Sequence, residues 1–115
     1  MDAPFNLAET DKLLSTTRAV RKRLDLDKPV ERQVLLDCVR LSQQAPTGSN
    51  TQFWRWMIVQ DEAKKAGIAD IYRRGASFLD EYKSTLSADD TQTHRVYSSA
   101  EYLFDVLHKV PALVI

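Results

Sequence analysis

One cysteine, Cys38, stands alone in 115 residues, which excludes an internal disulfide framework and fits a reducing compartment. Three glycines are too few to build a phosphate-cradling glycine loop. No Ser/His/Asp constellation accompanies them, which argues against hydrolase and nucleotide-triphosphate chemistry. Net charge is absent as well: sixteen basic and sixteen acidic residues cancel, so nothing pulls the whole chain toward nucleic acid or an anionic membrane. Any basic site is therefore local. No apolar run approaches the ~20 residues of a membrane-spanning helix. The opening Met1-Asp2-Ala3-Pro4 has neither the basic nor the apolar region of a signal peptide. His94 and His108 stand fourteen apart with no Cys, Asp or Glu at metal-ligand spacing, so no metal site is expected. A cytoplasmic protein with no membrane or nucleic-acid partner is the plain reading.

What remains is ordinary for a globular protein, 43% apolar and 28% charged. The length suits one domain over residues 1–115. Leu7 to about Thr17 reads as a first helix with Asn6 as a possible N-cap. Arg18 to Lys28 is too charged for a core and is expected to run extended over the surface. Asp27-Lys28-Pro29 then opens a second helix, since Pro29 suits a first turn. Val34, Leu35, Cys38, Leu41 and Ala45 form its apolar stripe, which places Cys38 as inert core. Pro46 and Gly48 end it.

Phe53 to Gln60 reads as a strand, with Trp54, Trp56 and Ile58 on one face and Phe53, Arg55, Met57 and Val59 on the other. Both faces look covered, as in a sheet flanked by helices. Asp61 caps a third helix whose stripe of Ile68, Ile71, Tyr72, Leu79 and Tyr82 is weakened at Gly75. Ser87 to Thr93 reads as a polar loop, His94 to His108 as a fourth helix and Val110 to Ile115 as a second strand. Four helices and two strands in this order indicate α+β. Two short strands make a poor sheet, so the expectation is the front part of a larger domain.

Two segments carry chemistry. In Arg18-Ala19-Val20-Arg21-Lys22-Arg23, Arg18 and Arg21 share a face on a helical turn and suit one phosphate, which the planar guanidinium matches well. The competing reading, favoured by composition alone, is a solvated charge run partly neutralised by Asp25 and Asp27. In Ala45-Pro46-Thr47-Gly48-Ser49-Asn50-Thr51-Gln52-Phe53-Trp54, three hydroxyls and two carboxamides offer many hydrogen bonds without charge. Gly48 lets the backbone approach a ligand closely or take a positive φ. That suits a neutral heterocycle, although Ser, Asn and Gly also dominate turns for local reasons. Together the segments suggest a ligand with a polar ring at one end and an anion at the other.

Both segments resemble a known family. Thr17-Arg18-Ala19-Val20-Arg21-Lys22 is similar to the R-S-x-R segment near the start of nitroreductase-family flavoproteins. Ala45 to Trp54 resembles the family's A-P-S-x-x-N-x-Q-P-W segment, at the right separation. Val110-Pro111-Ala112-Leu113-Val114-Ile115 is similar to the next core strand. Ala19 replaces the usual serine, which removes one hydroxyl contact to a phosphate, and Phe53 stands where proline is usual. The resemblance implies a central mixed sheet flanked by helices, of which this chain would be the N-terminal half, with the C-terminal half absent.

It also implies an FMN-dependent oxidoreductase, an intertwined homodimer with each flavin at the interface. Arg18 and Arg21 would hold the FMN phosphate and ribityl end, with Ala19 helping only through its backbone. Pro46, Thr47, Gly48 and Asn50 would line the isoalloxazine ring, in many members from the partner subunit, with Gln52 beside them. NAD(P)H would deliver hydride to flavin N5, and electrons would pass on to a nitroaromatic, quinone or similar small organic acceptor in a ping-pong cycle. No residue is assigned to acid/base catalysis. The alternative is a truncated, non-catalytic remnant acting only as a binding or interaction module, which leaves open whether this chain alone is an enzyme.

Overall fold

The computed structural model describes residues 4–115. The reading of Met1, Asp2 and Ala3 as the first residues of the domain, free of a signal segment, lies outside the described residues. The first helix, α1 (Leu7–Thr16), starts where the sequence indicates: the Asn6 side chain accepts from the Glu9 N–H at 3.2 Å. The next, α2 (Arg32–Ser42), starts later than Pro29. Asp25 draws the preceding residues into a turn of its own, its Oδ1 accepting from the N–H groups of Asp27 and Lys28. Proline disfavours helical backbone at Lys28. The Val30 carbonyl is taken by the Gln60 side chain at 3.0 Å, so helix geometry begins only beyond it.

The expected strand over Phe53–Gln60 shrinks to β1 (Ile58–Val59). It pairs antiparallel with β2 (Leu113–Val114), in the register Ile58↔Val114 and Val59↔Leu113. Met57 and Ile115 extend the ladder by exchanging both backbone bonds, at 2.7 and 2.9 Å. Residues 53–56 have strand composition but no strand partner among the described residues. Their side chains are not covered either: Phe53 is 78% exposed, and Trp54, Trp56 and Met57 are exposed too.

Between the strands lie α3 (Glu62–Arg74), α4 (Ser77–Thr85) and α5 (Thr91–Val106). Asp61 caps α3 by accepting from the Lys64 N–H at 2.9 Å. The expected single third helix is divided at Gly75-Ala76, so five α-helices rather than four occur among the described residues. The residues expected as a polar loop up to Thr93 give α5 its first turn instead. Asp90 accepts from the Thr93 N–H at 3.0 Å and starts the helix at Thr91.

The core forms where α3, α5 and the 3-10 turn Leu107–Lys109 pack together. Val59, Ala69, Leu79, Phe104, Val106, Leu107 and Val110 are its buried apolar residues. Tyr72 stacks on Phe104 with centroids 4.4 Å apart. Two cations tie the helices to backbone: buried Lys65 donates from Nζ to the Val110 carbonyl at 2.8 Å, and part-buried Arg73 from Nε to the Phe104 carbonyl at 2.9 Å. Lys83 pairs with Glu101 across α4 and α5 at 2.8 Å.

α1 and α2 contribute no buried residue. Leu7, Leu13 and Leu14 of α1 are each about two-thirds or more exposed, and Leu41 of α2 is 71% exposed. Cys38 is exposed, not core. Accordingly the radius of gyration is 17.9 Å, against about 13 Å for a compact chain of this length. The surface of 9624 Å² is about half as much again as a compact monomer of this mass shows.

Candidate functional site

The two segments singled out in the sequence form two separate depressions. The first, about 260 Å³, is lined by residues 18–23 and by Ser99 of α5. It follows the C-terminal end of α1, whose last carbonyls turn Arg18 back: Nη1 donates to the Ser15 and Thr17 carbonyls at 2.9 and 2.8 Å. Arg21 is anchored differently, its Nη1 donating to Ser99 Oγ at 3.0 Å. Lys22 Nζ donates to the adjacent Ser98 Oγ, also at 3.0 Å. The basic segment thus runs over the surface as expected, with two serines of α5 holding it in place.

Asp25 and Asp27 form no direct ion pair with this segment. Asp25 is occupied by its own turn, and neither carboxylate pairs with a cation among the described residues. Arg18, Arg21, Lys22 and Arg23 therefore line the depression without an acidic partner. Arg18, Lys22 and Arg23 are exposed and Arg21 half-buried, and guanidinium forks of this kind fit phosphate oxygens.

The second depression, about 430 Å³, is lined by Pro46, Thr47, Gly48, Thr51, Phe53 and Trp54. It is mostly apolar with hydroxyls at its edge, the composition expected for a planar heterocycle. Trp54 stacks on Trp56 at 5.9 Å between centroids, which fixes one wall. Between these residues the backbone takes an uncommon course. Ser49, Asn50 and Gln52 have φ of 53°, 52° and 51°, while Gly48 is not left-handed. Each left-handed non-glycine residue costs on the order of 1 kcal/mol or more, and such residues concentrate at ligand clamps. The loop holds this shape with its own bonds: the Gln52 N–H donates to Thr47 Oγ1 at 3.1 Å and the Gln52 carboxamide donates to Asn50 Oδ1 at 2.9 Å.

Gly48 has a different role from a positive-φ hinge. A Cβ built there would meet no atom within 4 Å, so the chain itself leaves the room above it open. Of the ring-side candidates, Pro46, Thr47 and Gly48 share the depression, whereas Asn50 and Gln52 shape the loop from outside its lining. The two depressions have no lining residue in common.

The sequence reading passed over Ser98 and Ser99. Nothing local marks them, because their partners stand 76 and 78 positions away. The histidines have structural roles: His94 Nε2 contacts the Ser87 carbonyl and His108 Nδ1 contacts Arg73 Nη2. No three of His, Cys, Asp and Glu come together as a metal cluster among the described residues. No helix among them is long and apolar enough to cross a membrane.

Residues 14–115 match the sequence model of the family described as "Nitroreductase family". No curated protein and no solved structure matches the chain.

Proposed function

Because the chain belongs to the nitroreductase family, we propose that it is an FMN-dependent oxidoreductase that uses NAD(P)H and a nitroaromatic, quinone or similar acceptor in a ping-pong cycle. Bound FMN would supply the redox chemistry, while the protein would supply position and electrostatics. The observation behind this reading is the depression lined by Arg18, Arg21, Lys22 and Arg23, none of which forms an ion pair with a carboxylate among the described residues. Arg21 and Arg18 would hold the phosphate and ribityl end, and Ala19 would contribute through its backbone. Pro46, Thr47 and Gly48 would face the ring, with Asn50 and Gln52 keeping the loop in register.

The protein would act as a homodimer. Exposed leucines on α1 and α2 and the excess surface of the chain call for a large apolar cover. A second copy would also bring one protomer's ring loop to the other's phosphate loop, which suits depressions that share no residue. In this reading β1 and β2 belong to a central mixed sheet flanked by helices, and the protein works in the cytoplasm.

The test is NADH and NADPH oxidation by the FMN-supplemented protein with a nitroaromatic or a quinone as acceptor. Turnover that needs FMN and falls in Arg21→Ala is expected. FMN-independent turnover, or none with any acceptor, would contradict the reading. The second reading, a binding or interaction module, is favoured by the same exposed leucines and would leave dimerisation intact without turnover.

A further inference from the structure

The basic depression contains one residue that the basic segment does not supply. Ser99 lies in mid-α5, its Oγ 3.0 Å from Arg21 Nη1. Ser98 is bound to Lys22 in the same way, yet only Ser99 lines the depression. Within residues 18–23 there is no hydroxyl at all: Ala19 and Val20 are the only uncharged members. Ser99 is therefore the one hydroxyl-bearing residue that lines the depression with the four basic ones.

Its present bonds leave it available. Ser99 Oγ donates to the Val96 carbonyl at 2.8 Å, a back-bond within the helix that is no more than an optional second contact. The Val96 carbonyl sits inside α5, where the backbone N–H four residues on serves it. Turning the hydroxyl toward an anion orphans nothing. The oxygen would keep accepting from Arg21 while its proton moves to the anion, so guanidinium and hydroxyl would act as one unit with charge-assisted hydrogen bonds.

We propose that Ser99 is a phosphate-binding residue. Its hydroxyl, held in place by Arg21, donates to a phosphate oxygen of FMN and supplies from α5 the hydroxyl that Ala19 does not provide. This rests on the FMN reading above. It also ties the phosphate end to the helical core, because α5 is the element that carries Phe104 and Val106.

The test is titration of the protein and its Ser99→Ala, Ser99→Thr and Ala19→Ser/Ser99→Ala variants with FMN and with riboflavin, which lacks the phosphate, followed by flavin fluorescence. Ser99→Ala is expected to weaken FMN roughly tenfold, the scale of one hydrogen bond to a charged group, and to leave riboflavin unchanged. Ser99→Thr keeps the hydroxyl and should bind FMN as the parent does. Ala19→Ser/Ser99→Ala should recover most of the loss, since a hydroxyl returns to the depression.

An unchanged FMN affinity in Ser99→Ala would overturn the assignment. So would an equal loss for both flavins, because the phosphate would then not be involved. A failure of Ala19→Ser/Ser99→Ala to recover FMN binding would overturn it too, because a mere tether for Arg21 would also lose FMN selectively but could not be replaced by a hydroxyl at position 19. If the parent binds FMN better than riboflavin and this preference survives in Ser99→Ala, only the Ser99 assignment fails. If the parent binds neither flavin, the FMN reading itself fails and this inference with it.

Discussion

Residues 58–115 and residues 5–57 differ in what they do for the molecule. Among the described residues every buried apolar side chain lies at position 59 or later, on β1, α3, α4, α5, the turn that follows and Val110 just after it. The earlier part has caps, two helices and both candidate segments, but α1 and α2 bury nothing. The buried core and the two candidate segments are therefore largely separate, with Ser99 of α5 the one lining residue of the basic depression that comes from the later region. The later region is held by its own packing, whereas the earlier one presents apolar stripes, cations and a left-handed loop to whatever covers them. The two regions meet at Arg21–Ser99, Lys22–Ser98, Gln60–Val30 and the backbone pair Met57–Ile115. A site built this way can take shape without contributing to the core, and its occupancy depends on the cover.

The largest expected effect breaks the later region alone. Phe104→Ala removes a buried ring stacked on Tyr72 and should cost about 3–5 kcal/mol in urea unfolding. Leu14→Ala, on the exposed stripe of α1, should stay within about 0.5 kcal/mol for the dissociated chain. Equal losses for the two would abolish the division. Arg21→Ala should act on the other side of it, weakening FMN by about 1–3 kcal/mol, the scale of a lost charged hydrogen bond. An unchanged dissociation constant would remove Arg21 from the phosphate site.

Gly48→Ala sharpens the contrast further. The added methyl meets no protein atom, so the unfolding midpoint should barely move while ring binding weakens. A large stability loss would mean that the space above Gly48 is not reserved for a ligand.

The smallest effect concerns Asp90. Hydrogen bonds from Thr93 hold its carboxyl below the ordinary carboxylate range. A lowered folded-state value means that the cap stabilises α5 fully above the ordinary value and loses this contribution as pH falls through the lowered one. An acid titration of helix content should show a step at the start of α5 that Asp90→Asn removes, since Asn also caps but does not titrate there.

Local chemistry made much of the fold legible. Asn6 and Asp61 serve as N-caps because a side-chain oxygen and a nearby N–H are all the motif requires. The apolar spacing of α5 needed no outside information. Errors arose where a distant partner decides. Phe53 to Met57 has strand residues but only Met57 finds a pairing partner, and composition cannot show whether an edge is occupied. Pro29 is a favourable helix opener, yet the Asp25 turn and Gln60's hold on Val30 postpone α2 to Arg32. The Cys38 stripe was periodic, but periodicity does not say that anything lies opposite it.

The candidate site divides similarly. Its two segments are contiguous and could be read directly. The positive φ at Ser49, Asn50 and Gln52, in place of Gly48, is a property of the folded loop. The contribution of Ser99 depends on tertiary docking across 78 positions.

The central claim is that the earlier region is a flavin-binding surface carried on an independently packed core. Its most direct test is the absorbance spectrum of the purified 115-residue protein after FMN is added and the excess removed. The account predicts flavin bands retained near-stoichiometrically with protein. A folded but colourless protein would contradict it.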